Sequence, residues 1–214
     1  MTDAAARSPR ERYRLQMQAE IKQCAWEQIA TDGASALSLN AIAKQMGMSG
    51  PALYRYFAGR DELISALIRD AYRSLADTLR AVRDGGADAA GIASAARDWA
   101  LADPHRYFLV YGTPIPGYRA PEDTTAITQE IMATLVEVFA DQPPVEPTTP
   151  LDADLERHRH WAPADSDPVV LHRALSFWTR THGVLSLELA GHFTGMGFDA
   201  ALLFADEVNG LLAD

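Results

Sequence analysis

Residues 38–68 read SLNAIAKQMGMSGPALYRYFAGRDELISALI, and the pattern of this stretch is the strongest indication of the fold. Its apolar residues recur every three or four positions on both sides of Gly47, a spacing that is typical of helices. Gly47 lies where a tight turn needs a residue that tolerates positive φ. We therefore predict two short helices, over 38–46 and 49–56, that are joined by a turn at this glycine.

Both helices carry suitable residues at their ends and on one face. Ser38 and Ser49 are each placed to act as an N-cap, and Pro51 falls in a first turn, where its missing N–H does no harm. Leu53 and Phe57 are four residues apart and are expected to point inward. The opposite face of this second helix, about 10 Å long, would fit a DNA major groove about 12 Å wide.

A supporting helix, a glycine turn and a recognition helix form the helix-turn-helix of DNA-binding proteins. A further helix over 15–32 is expected before them, with Ile21, Ala25 and Ile29 on one face and Gly33 at its end. The rest of the chain is also helical in pattern, and residues 141–168 are expected to form a long loop with one short helix near 152–160. The other predicted helices cover 59–83, 88–103, 104–111, 121–141, 168–190 and 198–213.

The quoted stretch, together with the residues before it, resembles the N-terminal signature of the tetracycline-repressor (TetR) family; the match covers residues 17–68 without a gap. The matching positions are Ile21, Ala25, Gly33, Leu39, Ile42, Ala43, Gly47, Ser49, Leu53, Tyr54, Tyr56, Phe57, Arg60 and Leu63. Two departures concern DNA contacts: Arg60 stands where the family usually has Lys, and Gly50 and Pro51 stand where it often has Lys or Gly. The target DNA sequence therefore stays open.

The second half resembles a subgroup named for a Trp-His-Gly signature, here Trp178, His182 and Gly183, with residues 111–121 as the preceding loop. The resemblance implies an all-α protein of about nine helices. Residues 1–60 would form an N-terminal arm and a three-helix DNA-binding domain, and residues 61–214 a helical effector-binding and dimerisation domain. Such a protein is expected to be a homodimeric repressor that leaves a palindromic operator when a small, mostly apolar effector binds.

Nine residues are candidate DNA contacts. The fork of the Arg55 guanidinium can bond O6 and N7 of guanine together, although a phosphate contact or an internal ion pair is an alternative. Lys44 and Arg60 are expected to hold phosphates, which position a protein without reading sequence. Pro51 and Ala52 are expected either to contact thymine methyl groups or simply to form the start of the helix. Tyr54 and Tyr56 are expected either to bond phosphates or to pack at the rim of the small domain, and Ser38 and Ser49 are expected to contact phosphates. The arginines of the N-terminal arm are expected either to reach the neighbouring DNA or to form a solvated tail.

Dimerisation is expected to involve the last two helices. Apolar residues in 168–190 follow alternating spacings of four and three, which makes one long seam. The resemblance implies a dimer interface of four helices, two from each chain, whereas the seam alone could equally be the core of one chain. We expect some faces of these helices to be internal and others to be shared with the partner. The candidate interface residues are Leu171, Leu175, Leu185, Leu189, Phe204, Val208 and Leu211.

An effector pocket is expected where aromatic residues cluster in the second half of the chain. The candidates are Trp99, Tyr107, Phe108, Tyr111, Tyr118, Trp178 and His182. A pocket needs apolar walls with a few polar groups, which these side chains would provide, although aromatics at helical spacing are more often plain core. This assignment depends on the resemblance.

The charge distribution agrees with DNA binding at one end of the chain. Residues 1–60 hold eight Lys or Arg and five Asp or Glu, whereas the remainder holds eleven and twenty-four. A net charge of −10 argues against a protein that coats DNA in general. Cys24 is the only cysteine, no apolar run reaches about 18 residues, and residues 1–14 lack the apolar stretch of a secretion signal. We therefore expect a protein of the reducing cytoplasm without membrane partners.

The competing hypotheses are an enzyme and a metal sensor. The sequence contains no HExxH, no paired cysteines, no glycine-rich phosphate loop and no nucleophile elbow. His158 and His160 are two residues apart in a proline-rich segment, which is poor spacing for a helical metal pair. We therefore predict no catalytic residues, no metal site and no cofactor.

Overall fold

The computed structural model describes residues 8–115, 118, 123–140, 149–163 and 166–213. Arg7 of the predicted arm and parts of the predicted loops 111–121 and 141–168 lie outside the described residues. Every regular element within these ranges is a helix, which confirms the predicted all-α fold class. The helices are α1 (Pro9–Asp32), a 3-10 turn (Ala34–Ala36), α2 (Leu39–Gln45), α3 (Gly50–Leu53), α4 (Arg60–Asp84), α5 (Ala89–Ala102), α6 (Pro104–Tyr111), α7 (Asp123–Ala140), α8 (Pro150–Arg157), α9 (Pro168–Leu189) and α10 (Ala200–Ala213).

α1 begins at Pro9, six residues before the predicted start at residue 15. The backbone N–H of Glu11 donates to Ser8 Oγ at 3.2 Å, so Ser8 is the N-cap and Pro9 the first helical residue. Ser-Pro-Arg-Glu is a helix-start signal that our sequence interpretation overlooked. The prediction of the helix start was therefore wrong, and α1 carries the basic segment before residue 15.

The helix-turn-helix is present, with a shorter second helix than predicted. Gly47 has φ of 66°, which confirms the turn at this position. α3 covers only Gly50–Leu53 instead of 49–56, because the N–H of Tyr56 donates to Leu53 O at 2.8 Å and the chain tightens into a turn. We call residues 50–56, the helix and this turn, the recognition segment.

The chain divides into two compact units. One comprises Met1–Asp70 with Tyr107–Pro121, and the other Ala71–Arg106 with Glu122–Asp214. In the first, Ile21, Ile42 and Leu53 are completely buried and form part of the core. This burial shows that α1 and the two helices of the helix-turn-helix, α2 and α3, all contribute to the core of the unit.

α9 is the central helix of the second unit. It packs against α5, α7, α8 and α10. Its Phe177 ring meets Phe139 of α7 edge to face, with 5.5 Å between the ring centroids. Arg97 and Glu188 join α5 to α9 through an ion pair of 2.5 Å between Nη2 and Oε1, with both side chains mostly buried.

Four of the predicted dimer-interface residues are part of this core. Leu171 and Leu185 are 0% and 1% exposed, and Phe204 and Val208 are each 4% exposed. Side chains that are already buried in one chain have almost no surface left to bury against a partner, so the burial of these four favours the alternative that the seam is the core of one chain. Their place in a dimer interface stays a prediction. Leu175, Leu189 and Leu211 are half-buried, so a contact through them stays a prediction.

Replacement of Gly47 by alanine should destabilise the helix-turn-helix. A Cβ here meets no atom within 4 Å, so the cost is that of the positive φ alone, about 1–2 kcal/mol. Gly47→Asn should recover part of this loss, because asparagine tolerates the left-handed region better. Denaturant unfolding of the three proteins would test this, and equal stability of Gly47→Ala and the original protein would contradict it.

Candidate functional site

The recognition segment has a buried side and an exposed side. Leu53 and Phe57 are 0% and 4% exposed, which confirms that they point inward. Pro51, Tyr54 and Arg55 are exposed on the other side. The structure therefore presents three of the predicted DNA contacts to solvent on one short segment.

The remaining two candidates on this segment are only partly accessible. Ala52 and Tyr56 are both half-buried. The carbonyl oxygen of Tyr56 accepts a hydrogen bond of 3.5 Å from Gln18 Nε2 of α1. The phosphate contact of Tyr56 therefore stays a prediction for a side chain that is only partly accessible.

Lys44 and Arg55 are exposed cations of the helix-turn-helix. Among the described residues, neither side chain has a hydrogen-bond or ion-pair partner. The alternative of an internal ion pair for Arg55 is therefore not what the structure shows. Both cations have their full donor capacity available for nucleic acid.

Arg60 is used inside its own unit. Its Nη2 donates to Ala34 O at 3.0 Å and to Ser35 O at 3.2 Å, and Nη1 lies 3.7 Å from Asp61 Oδ1. These bonds attach the start of α4 to the 3-10 turn after α1. A phosphate contact by Arg60 stays a prediction for its remaining N–H groups only, and its main observed contacts are structural.

The two serines differ in how free their hydroxyls are. Ser38 Oγ accepts from the N–H of Ala41 at 3.3 Å and caps α2, as predicted. Ser49 occupies the N-cap position of α3, but its side chain makes no capping hydrogen bond. The exposed Ser49 hydroxyl is therefore the more available of the two for a phosphate oxygen.

The predicted effector residues are divided between the two units. In the second unit, Trp99 of α5 is 6% exposed and its Nε1 donates to Ser74 Oγ of α4 at 3.1 Å. The Arg106 guanidinium lies over its ring, with Cζ 4.3 Å from the centroid, and Nη2 donates to Trp99 O. Trp99 is therefore a core residue that is attached to α4.

Four other effector candidates belong to the first unit. Tyr107 is 1% exposed and its ring contacts those of Phe108 and Tyr111 at centroid distances of 5.5 and 5.4 Å. The Tyr118 hydroxyl lies 3.0 Å from Ser65 Oγ of α4, within hydrogen-bond distance. Tyr107 therefore packs as core, while Tyr118 is attached to α4.

The last two effector candidates form a pair on α9. The Trp178 and His182 rings meet edge to face, with 4.0 Å between their centroids. Burial lowers the pKa of His182 to about 4, because the charged imidazolium loses its hydration. His182 is therefore neutral near pH 7 and suits an apolar environment.

One cavity in the second unit lies away from these residues. It has a volume of about 230 Å³ and lies between α5 and α10. Its walls include Ala93, Arg97 and Phe204, but none of the predicted effector residues. The sequence-based choice of effector residues thus finds no support from this cavity.

Two further features bear on the alternative functions. No group of three or more His, Cys, Asp or Glu is placed to hold a metal ion among the residues that the structure describes. The described helices also include none that is long and apolar enough to cross a membrane.

Comparison with known families gives matches over both halves of the chain. Residues 23–67 match the family model described as bacterial regulatory proteins, tetR family. Residues 89–211, more than half of the chain, match the model described as tetracyclin repressor-like, C-terminal domain. The chain therefore belongs to the TetR family. It is a DNA-binding helix-turn-helix regulator of transcription and not an enzyme, whereas membership of the Trp-His-Gly subgroup stays a prediction.

Similar proteins in mycobacteria are also described as helix-turn-helix regulators of transcription. The HTH-type transcriptional regulators Rv1816 of Mycobacterium tuberculosis H37Rv and Mb1846 of Mycobacterium bovis are each 35% identical to this chain over 210 residues. The alignment covers 87% of this chain and 89% of each relative. The similarity thus extends through both predicted domains.

Solved structures show the same fold. The crystal structure of SCO4313 is 65% identical, with a TM-score of 0.92 and coverage of 97% of this chain and 100% of that one. A regulatory protein of the tetR family from Rhodococcus RHA1 has a TM-score of 0.61 at 15% identity, with coverage of 92% and 95%. The second similarity shows the shared fold alone.

The largely buried, neutral His182 should make stability depend on pH. Its folded pKa of about 4 lies below the ordinary 6.5, so the unfolded chain binds the proton more readily between these values. Stability from this group is present above pH 6.5 and should be lost as the pH falls towards 4, by at most about 3 kcal/mol. Melting temperatures measured across this window should fall less steeply for His182→Gln than for the original protein.

The exposed His192 provides the matched control. His192→Gln should leave the pH dependence of the melting temperature as it is in the original protein. If the melting temperature of His182→Gln fell with pH as steeply as that of the original protein, the His182 imidazole would not lose a proton on folding.

Proposed function

We propose that the protein is a ligand-responsive repressor that binds a palindromic operator as a homodimer and is released by a small, mostly apolar effector. The operator half-sites would then have centres about 34–36 Å apart, or a multiple of that distance. The proposed place of action is the cytoplasm. Residues 1–60 would supply DNA binding, and residues 61–214 effector binding and dimerisation.

Two cations of the helix-turn-helix that have no partner among the described residues carry the DNA part of the proposal. Lys44 and Arg55 are exposed, whereas Lys22 and Arg60 in the same unit are held by Asp70 and by backbone carbonyls. A cation without an internal partner gains most from an external anion, because it gives up no existing hydrogen bond. Arg55 next to the exposed Pro51 and Tyr54 would read bases, and Lys44 would hold a phosphate.

An exposed apolar surface supports the dimer part of the proposal. Leu187 of α9 and Leu202 of α10 are 45% and 70% exposed, and Met196 and Phe198 between these helices are 63% and 46% exposed. Several large apolar side chains on two adjacent helices are a usual mark of an interface. A second copy of the same chain is the proposed partner. The buried seam of α9 and α10 would hold these two helices in place for the contact.

The hydrogen bonds of α4 suggest how an effector signal would reach the DNA-binding end. Trp99 and Tyr118 bond to Ser74 and Ser65, which lie at different levels of this helix. An effector that displaced either aromatic side chain would remove a bond that fixes α4. The proposed change moves α4 and with it the recognition segment.

Two ion pairs join α4 to α7 in the second unit. Arg73 donates to Glu130 through Nη1 and Nη2, at 2.5 and 2.9 Å, and Arg80 Nη1 donates to Glu137 at 2.6 Å. Arg80 lies seven residues after Arg73, and Glu137 lies seven residues after Glu130. Seven residues are close to two helical turns, so both pairs lie on the same face of each helix. A shift of α7 would thus be passed to α4.

The effector must prefer the state that does not bind DNA. A ligand with equal affinity for both states shifts no population, and the usual coupling is about 1–3 kcal/mol. Trp99 and Tyr107 are buried as core, so a pocket at these residues would have to open when the ligand enters.

Base reading by Arg55 can be tested once an operator has been selected from genomic DNA with the purified protein. Arg55→Ala should weaken operator binding by about 1–3 kcal/mol and binding to unrelated DNA much less. Arg157→Ala, which removes an exposed arginine on α8, should leave both affinities nearly unchanged. Equal losses of Arg55→Ala on both DNAs would show that Arg55 holds a phosphate.

Assembly can be tested on the exposed apolar surface without disturbing the core. Leu202→Glu should dissociate the dimer and leave the chain folded, because residue 202 is 70% exposed in a single chain. Leu151→Glu, at a position that is 44% exposed on α8, is the matched control and should stay dimeric. Sedimentation and circular dichroism would separate dissociation from unfolding. A monomeric original protein at micromolar concentration would contradict the dimer.

A further inference from the structure

We propose that the first turns of α1, residues 9–17, form a helical arm that places Arg10 and Arg14 on DNA phosphates beside the recognition segment. This inference rests on the proposed function, because its partner is the duplex that the helix-turn-helix holds. It adds a second, specific contact surface to the DNA-binding unit. Arg12 of the same arm is assigned no part in it.

The helical arm projects beyond the folded body of its unit. Every side chain from Pro9 to Gln16 is exposed, Met17 and Gln18 are half-buried, and Ile21 is the first fully buried residue. The arm is nevertheless helical, since Ser8 caps it. Its side chains therefore have fixed directions, unlike those of a disordered tail.

The helical period decides which arginines share a face with the buried stripe of α1. Arg14 and Arg10 precede Ile21 by seven and eleven residues, and at about 100° per residue both lie within about 20° of its direction. Arg12 precedes Ile21 by nine residues and points to the opposite side. Arg10 and Arg14 therefore continue the buried stripe of α1 towards the start of the helix, where the side chains are exposed.

A side-chain contact places this stripe next to the recognition segment. Gln18 Nε2 donates to the carbonyl oxygen of Tyr56, the last residue of that segment. Arg14 and Arg10 lie one and two turns further along α1, about 6 and 12 Å from Gln18 along the helix axis. A duplex held by the recognition segment would thus have its backbone near these two arginines.

The chemistry of the arm fits phosphate. The structure gives Arg10, Arg12 and Arg14 no hydrogen-bond or ion-pair partner among the described residues, and Glu11 is the only acid of the arm. By contrast, Lys22 further along α1 is paired with Asp70 at 2.5 Å. A guanidinium group binds phosphate through two parallel hydrogen bonds. An exposed cationic face on a capped helix therefore suits the backbone of the same duplex.

The salt dependence of DNA binding tests the arm, with the selected operator duplex as the probe. Each lost phosphate contact should reduce the slope of log affinity against log salt by about 0.9. Arg10→Ala/Arg14→Ala should therefore lower the slope by about 1.8 for each subunit. Arg12→Ala, the control on the opposite face, should leave it unchanged. Circular dichroism checks that the variants keep the helix content and melting temperature of the original protein.

Duplex length provides a second measurement. Extending the operator by half a turn of DNA at each end should strengthen binding by the original protein and by Arg12→Ala, but not by Arg10→Ala/Arg14→Ala. An unchanged salt slope in the double variant, or an equal loss of slope in the double variant and in Arg12→Ala, would overturn the proposed role of the arm. If the original protein binds no DNA at all, the proposed function fails instead, so the two failures are distinguishable.

Discussion

The DNA-binding surface depends on the burial of one face of the recognition segment. A helix of one turn has too few internal hydrogen bonds to be stable alone in water. Leu53 and Phe57 hold it by packing into the core that Ile21 and Ile42 share. The exposed positions Pro51, Tyr54 and Arg55 take their direction from this anchoring.

The same unit separates cations that hold the fold from cations that face solvent. Arg60 bonds to carbonyl oxygens after α1, and Lys22 bonds to Asp70. Lys44 and Arg55 have no such partners among the described residues, and the helical period turns Arg10 and Arg14 towards one side of α1. An electrostatic surface for DNA thus arises from which cations the fold leaves unpaired, and the net charge of the chain says little about it.

In the second unit, one helix serves both the core and the exposed apolar surface. α9 buries Leu171 and Leu185 against its neighbours, while Leu187 stays exposed. The side of a helix that faces the core of its own chain cannot also meet a second chain. The proposed dimer contact therefore uses a different side of α9 and α10 from the seam that the spacing of apolar residues predicts.

The sequence alone determined the all-helical fold, the helix-turn-helix and the membership of the TetR family, because these depend on local spacing, caps and the glycine of the turn. It also contained the start of α1 at Ser8 and Pro9, although the signal was overlooked. The folded structure was needed to show that Arg60 is held inside its unit, that α3 ends after one turn, and that Leu171 and Leu185 are core. Periodicity shows that a helix has an apolar or a charged face, but the partner of that face depends on residues far away in the sequence.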